Sequence, residues 1–366
     1  MAEGVDGRRS PWAPGRLSAP SDWKVERFAP NHAPAWDKYV LAHPEGTLFH
    51  TQAWRTAVKS TFGHEDIYLI ALSQDRIVGL LPLFLVASRL MGRMLVSVPY
   101  GVAGGIIADD DRVAAALLAE ARRIADDRGC PIIDLRSERA CLPGLPVVDR
   151  YFGFHRNLPD REEDVLEWLP RKARAAARNA REKFKLTYTV GDEHLPEVWR
   201  LYSISMRRLG SPNYPCSFFQ QVVAATPNRH WVSLVHWNGR PVAGLVTLLY
   251  RDRVMPYFVG ATAAASRCHA ANFHYWKTME AAAAAGFRVF DFGRSRRDNL
   301  GSLNFKRFHG FQPQALGYQR FTAPGCTPTD LTPSSAKIRW ARAVWTRLPL
   351  WFTQVVGARV SHHIPG

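Results

Sequence analysis

Short apolar runs of strand character alternate with longer runs of helical period from about Trp23 to Phe321. Trp54 to Phe62 has a helical pattern that ends near Gly63. Ile67 to Leu72 and Ile77 to Val86 predict two strands, joined as a hairpin by Ser73-Gln74-Asp75-Arg76. Met94 to Val98 and Gly104 to Ala108 predict two more strands. Asp109-Asp110-Asp111 supplies an N-cap and an acidic first turn for a helix over Arg112 to Arg128. Gly129 closes that helix, and Ile132 to Leu135 reads as a buried strand.

The order then repeats. Leu186 to Val190 predicts a strand, Leu195 to Arg208 a helix, and Ser217 to Ala225 a short helix. Trp231 to His236 and Val242 to Tyr250 flank Asn238-Gly239, a strong hairpin turn. Val254 to Val259 is a further strand, and Asn272 to Ala285 a long helix. Gly286 ends that helix, Arg288 to Phe292 alternates as a strand, and Gly293, Arg294 and Ser295 leave it. Asp298, Asn299 and Gly301 mark a loop, after which Phe305-Lys306-Arg307-Phe308 reads as another strand. The pattern predicts a mixed α/β protein with the same hairpin-then-β-α-β plan twice: residues 23–160 and 161–323, preceded by a disordered stretch over 1–22 and followed by a helical tail over 324–366.

Composition adds constraints. The chain has 366 residues, with 46% hydrophobic and 22% charged, which suits two domains with real cores. The net charge of +16 favours polyanionic partners such as tRNA, nucleotide-linked sugars or an anionic membrane surface, without choosing among them. Five widely spaced cysteines with no C-x-x-C argue against a disulfide framework or a zinc site and for a reducing compartment. No stretch has signal-peptide order. The longest apolar run, Ile77 to Ala87, contains Pro82 and falls far short of the roughly 20 residues that span a bilayer. The expected location is the cytoplasm. Arg171 to Lys185 holds seven basic residues and one acid, with Arg174, Arg178, Arg181 and Lys185 on one helical face. In the tail, Trp340, Trp345 and Trp351 alternate with Lys337, Arg339, Arg342 and Arg347, with Pro349 as a break; this stretch suits packing on the body or contact with a membrane surface.

The stretch Gly286 to Phe311 concentrates the candidate chemistry. A helix, a glycine, a strand bearing Asp291-Phe292-Gly293, a polar loop and Gly301-x-x-x-Phe305-Lys306-x-x-x-Gly310 together resemble the Fem-type branch of the GNAT acyltransferase superfamily. The resemblance runs from about Asp66 to Phe321 and is nearest to the FemAB-like proteins found beside exosortase/PEP-CTERM and exopolysaccharide genes. It implies two tandem GNAT-like domains and an N-acyltransferase acting on a cell-envelope or exopolysaccharide precursor. It also implies that Lys306 places positive charge on the developing oxyanion and that Phe305, on the other strand face, fixes its position. Fem-type proteins use basic residues near the interdomain junction to hold a nucleotide diphosphate, which carries over to Arg174 and Arg178; arginine's fork suits phosphate.

Other residues keep two readings open. Asp291, within an apolar strand, must be paired: either it orients a substrate amine or Lys306, or it forms an ion pair with Arg294 or Arg296. Arg294 and Ser295 follow as substrate-binding candidates. His309 is not expected to be a base, and His269 and His274 suit packing. The Arg/Gln-x-x-Gly-x-Gly/Ala loop of acetyl-CoA-dependent GNAT enzymes is replaced by Val259-Gly260-Ala261-Thr262-Ala263-Ala264-Ala265-Ser266-Arg267. The expectation is no permanently bound cofactor and no metal, an anionic acyl donor (aminoacyl-tRNA or acyl-CoA), and a nucleotide-linked or polysaccharide acceptor. The competing readings are an acetyl-CoA-dependent GNAT acetyltransferase and a non-catalytic polyanion or nucleic-acid binder.

Overall fold

The computed structural model describes residues 23–140, 142–326 and 336–366; the expectation for 1–22, Cys141 and most of the stretch linking to the tail lie outside the described residues. The first half contains β1 (Trp23–Arg27), α1 (Ala33–Ala42), α2 (Gln52–Phe62), β2 (Glu65–Asp66), β3 (Leu69–Ser73), β4 (Arg76–Leu81), β5 (Leu83–Ser88), β6 (Gly92–Ser97), β7 (Ile107–Ala108), α3 (Asp111–Asp127) and β8 (Ile132–Leu135). Pro82 separates β4 from β5, and the chain changes sheets there: β4 lies in the order β1-β3-β4-β7 and β5 in the order β16-β8-β6-β5-β2, where β16 is Gln319–Thr322. A proline has no N–H for a ladder and suits such a switch. Helix α3 starts where Asp110 accepts from the Arg112 and Val113 N–H groups.

The chain then runs through β9 (Tyr151–Asn157), α4 (Val165–Trp168), α5 (Arg171–Glu182), β10 (Thr187–Val190), α6 (Leu195–Leu209), α7 (Cys216–Ala225), β11 (His230–Trp237), β12 (Arg240–Tyr250), β13 (Arg253–Ala261), α8 (Ala270–Ala284), β14 (Val289–Arg296), α9 (Leu300–Phe308), β15 (Gln314–Ala315) and β16 (Gln319–Thr322). The second sheet has the order β10-β11-β12-β13-β14-β9-β15. The β11–β12 hairpin turns on Asn238 and Gly239, both at positive φ. Each half contains one parallel pair, β6 with β8 and β13 with β14, held over two residue pairs before the strands diverge. Strand exchange ties the halves together: β9, at the end of the first half, pairs with β14, and β16, at the end of the second, pairs with β8 of the first.

An apolar cluster crosses the junction. Trp54 and Phe62 of the first half meet Phe218 of the second, at ring distances of 5.7 and 5.0 Å. An interface of that chemistry holds the halves in one arrangement. The tail adds α10 (Ala336–Trp345) and α11 (Leu350–Ser361). It lies on α6: Arg207 donates to the Leu348 carbonyl (3.2 Å), Arg342 to the Leu209 carbonyl (2.8 Å), and a Cβ on Gly357 would clash with Asn213. Beyond α11 the chain returns to the first half, where Ser88 donates to the His363 carbonyl (2.7 Å). Trp340 and Trp351 nonetheless stay 71% and 67% exposed.

Candidate functional site

Lys306 is helical, which corrects the expectation of a strand over Phe305 to Phe308. The Asn299 side chain caps α9 by accepting from the Ser302 N–H (3.1 Å). At the other end Phe311 N–H donates to the Lys306 carbonyl and Gly310 N–H to the Arg307 carbonyl, a Schellman closure with Gly310 at φ +86°. Local capping thus outweighs the β-like run of Phe305 to Phe308. On a helix, Leu303 and Lys306 share the buried face, and Phe305 points elsewhere, against His309 (4.5 Å) and Tyr275 (5.5 Å).

The second correction concerns the strand before it. Gly293, Arg294 and Ser295 do not leave β14 but continue it through a bulge against β9. Gly293 sits at φ +64°, where a side chain would be strained, and its N–H donates to Asp291 Oδ1 (2.7 Å). The bulge turns three successive carbonyls toward α9. Lys306 Nζ donates to those of Phe292 (2.8 Å), Gly293 (3.2 Å) and Arg294 (3.2 Å), and lies 4.8 Å from the centre of the Phe154 ring. Three donors therefore meet three acceptors in a place that is 6% exposed. Burial pulls the lysine down to about 7, and the nearby Asp291 charge opposes that shift.

Asp291 pairs with neither Arg294 nor Arg296. Its Oδ2 accepts from Arg253 Nη1 (2.9 Å), which also donates to Glu138 (2.6 Å) across the junction. Glu138 and Arg253 line a cleft between the first-half loop around Thr47 and the β12–β13 turn. Arg294 instead lies over Tyr151 (4.7 Å) and donates to the Tyr318 hydroxyl (3.2 Å), and Ser295 exchanges a hydrogen bond with Ser302 (2.7 Å). Lys306, Asp291, Arg294, Ser295 and Phe305 thus gather around one bulge and one helix.

Arg174 and Arg178 belong to a different place. Both side chains close on Glu167, Arg178 at 2.6 Å, on the exposed side of α5. The helix ends at Glu182 and Lys185 takes φ +52°, so Lys185 does not extend that face. His274 is buried and bonded to Ser233 (2.8 Å), and burial lowers it to about 3. His309 is also buried; its Nδ1 meets the Phe305 carbonyl (2.9 Å) while Nε2 has no partner among the described residues, and burial lowers it to about 4. Both are neutral imidazoles at pH 7.

Arg253 and Arg136 escape sequence reading. Arg253 follows a turn and gives no local sign that it neutralises Asp291. Arg136 carries a signal: Asp134-Leu135-Arg136-Ser137 at the end of β8 echoes Asp291-Phe292-Gly293-Arg294-Ser295 in β14.

Residues 168–307 match the acetyltransferase (GNAT) domain family. No curated protein sequence matches the chain. Among solved structures, FemX is 14% identical, with a TM-score of 0.62 over 82% of this chain and 97% of its own. The C-terminal domain of a putative lysylphosphatidylglycerol synthetase from Agrobacterium fabrum is 12% identical, with a TM-score of 0.51 over 81% and 92%. A tandem GNAT protein from the clavulanic acid biosynthesis pathway is 14% identical, with a TM-score of 0.51 over 84% and 100%. The chain has the GNAT acyltransferase fold, with two GNAT-like domains in tandem.

Proposed function

We propose that the protein is a Fem-type N-acyltransferase that moves an aminoacyl or other acyl group onto an amine of a cell-envelope or exopolysaccharide precursor. The observation that carries this reading is the buried Lys306 ammonium held by the carbonyls of the β14 bulge. Attack of a neutral amine on an acyl carbonyl puts negative charge on the carbonyl oxygen, and the positive charge that Lys306 carries in its protonated form lowers the barrier. Exchanging the Arg294 carbonyl, one of the two longer contacts, for that oxygen would let Lys306 serve it. Asp291, through Gly293, shapes the bulge that aims the lysine; Arg294, Ser295 and Phe305 border the substrate.

The acyl donor in this reading is anionic, aminoacyl-tRNA or acyl-CoA, and Arg174 and Arg178 offer a basic face to a nucleotide-linked acceptor. The domains divide at 23–160, 161–323 and 324–366. The protein works at the cytoplasmic face of a membrane, where the exposed Trp340 and Trp351 and the basic tail meet anionic lipid. No helix among the described residues is long and apolar enough to cross a membrane.

Mass spectrometry of the purified protein for a retained acyl donor or nucleotide sugar, followed by an assay with the compound found, tests the reaction class. In that assay Lys306→Met keeps the apolar stem and removes the charge. Losing one oxyanion-stabilising group costs ~10²–10³ in rate, so the variant should fold and turn over at about 1% or less. Near-normal turnover by a folded Lys306→Met protein would refute the role.

A further inference from the structure

We propose that Arg253 is the positioning residue for Lys306 and that Glu138 of the first half governs it: one guanidinium is divided between Glu138 and Asp291, so the grip of Glu138 fixes how much of the Asp291 charge is left for the lysine. This deepens the reading above and rests on it in taking Lys306 as the catalytic group.

Three side chains form a line of charge that runs inward from the cleft. Arg253 Nη1 donates to Glu138 Oε1 (2.6 Å) and to Asp291 Oδ2 (2.9 Å). A single nitrogen thus meets both carboxylates, and neither carboxylate has a second ion pair among the described residues. The side chain of Glu138 is 36% exposed, that of Arg253 29% and that of Asp291 6%, so solvent screens the outer end and not the inner one. Asp291 gives its other oxygen, Oδ1, to the Gly293 N–H (2.7 Å), the bond that shapes the bulge. Lys306 touches no carboxylate among the described residues; carbonyls hold it, and Asp291 acts on it through space. One positive charge against two negative ones leaves net negative charge beside the lysine.

Little else around Lys306 carries charge toward it. On β9 the Phe154 ring lies against its Nζ, Arg156 stacks on Trp168 (3.7 Å), and His155 stands opposite Asp291 in the strand register. On β14 the Arg294 guanidinium is turned to Tyr151 and Tyr318. On α9 itself Arg307 is exposed, and His309 is the neutral imidazole bonded to the Phe305 carbonyl. From α8 comes Tyr275, whose ring lies against Phe292 (4.8 Å) and Phe305 (5.5 Å). Removing Arg253 therefore leaves Asp291 its full charge, which holds the proton on Lys306 more strongly. Removing the charge of Glu138 gives Arg253 to Asp291 undivided, and the proton leaves more readily. Opposite effects from the two partners of one contact distinguish positioning from mere support, because water let in by a loosened site would raise the lysine in both cases. The protonated fraction of Lys306 decides how much of the protein can stabilise an oxyanion at neutral pH. A contact between the halves thus sets the working charge of the second one.

The test uses the full chain with ¹³C-labelled lysine. Nuclear magnetic resonance follows the Lys306 Cε signal with pH, the signal being assigned by its loss in Lys306→Met. Arg253→Gln should raise the titration midpoint by about one pH unit, the low end of what a close charge does. Glu138→Gln should lower it by less, since Glu138 is the more solvated partner. Arg253→Lys keeps the charge and should return the midpoint toward the wild-type value. All three displacements should persist when His155 is replaced by Gln. The proposal fails if Glu138→Gln leaves the midpoint in place or raises it, if Arg253→Lys behaves as Arg253→Gln does, or if the displacements vanish without His155. Glu138 stands at the cleft, so its variant carries the test should Arg253→Gln not fold. No substrate is needed. Unmoved midpoints would leave the Lys306 assignment standing, and an active Lys306→Met enzyme would leave the coupling standing.

Discussion

In the first half, β8 presents Asp134 and is followed directly by Leu135, Arg136 and Ser137; in the second, β14 presents Asp291 and continues through Phe292 and Gly293 to Arg294 and Ser295. The second version carries one more residue between aspartate and arginine, and that residue is the glycine at φ +64°. The consequences differ. In the first half the Arg136 N–H is taken by Ser97 Oγ (2.8 Å) and its carbonyl by the Gly104 N–H (2.7 Å), so the backbone is closed. In the second the bulge leaves three carbonyls converging on one point, and α9 delivers a lysine to it. Among the described residues no helix follows β8 before β9, and no lysine lies between the two strands in the sequence. Two similar strand ends thus carry different things, a structural ion-pair node and a seat for a buried lysine.

The largest expected effect separates the two aspartates. Asp134 is buried between Arg136 and Arg320, which hold its carboxyl below the ordinary value against the opposing effect of burial. Removing one partner of a buried ion pair costs about 3–5 kcal/mol. Asp134→Asn leaves two guanidiniums with a neutral partner, whereas Asp291→Asn leaves Arg253 still paired with Glu138. Chemical denaturation should therefore rank Asp134→Asn as the more damaging change. The reverse ranking would break the comparison. Because the folded Asp134 value is depressed, its stabilisation is present above the unfolded carboxylate value and disappears as pH falls through the folded one.

Much of this was legible from residues alone. The tandem α/β plan, the Asn238-Gly239 hairpin and α3 with its aspartate cap follow from local pattern, which is what sequence encodes most directly. The errors share a physical cause. Phe305 to Phe308 alternates like a strand, but Asn299 and Gly310 are the stop signals of a helix, and they outweigh four residues of alternation. The continuation of β14 past Gly293 depends on pairing with β9, a strand more than 130 residues earlier, which no local window contains. The partner of Asp291 was unreadable for the same reason: Arg253 reaches it across the splayed β13–β14 pair.

Lys306 sharpens the comparison next, since the first half has no counterpart. Its folded value is about 7 against 10.5 for the free side chain. Between those limits the unfolded chain binds more protons than the folded one, so stability rises with pH across that window. Lys306→Met removes the group, and its unfolding free energy should climb less between pH 7 and 9 than that of the wild type. Parallel pH profiles for the two proteins would show that the lysine is not desolvated as the geometry indicates.

A smaller effect concerns α5. Arg174 and Arg178 share Glu167, an exposed pairing that contributes little to stability. Changing both to Ala should leave the melting temperature nearly unchanged and weaken binding of a nucleotide-linked sugar by about tenfold, on the order of one lost charge-assisted contact. Unaltered affinity would confine ligand binding to the cleft between the halves.

The smallest change in the fold is expected at the tail, where large apolar side chains face solvent on successive turns. Helices α6 and α8 bury theirs against the second sheet, but α10 and α11 leave Trp340, Trp351 and Val355 outside while their inner faces are anchored by Asn213, Arg207 and Leu209. After Asp330 the sequence has Lys337, Arg339, Arg342, Arg347 and Arg359 and no acidic residue. Tryptophan beside arginine is the composition that settles at an anionic lipid surface, with the ring at headgroup depth. Replacing Trp340 and Trp351 by Ser gives up little beyond the edge contact of Trp351 with Phe352 (5.7 Å) and should alter stability by less than about 0.5 kcal/mol. Sedimentation with anionic vesicles should fall several-fold, and vesicles of neutral lipid should retain neither protein. If the double variant sediments as well as the wild type, the exposed tryptophans do not face the lipid.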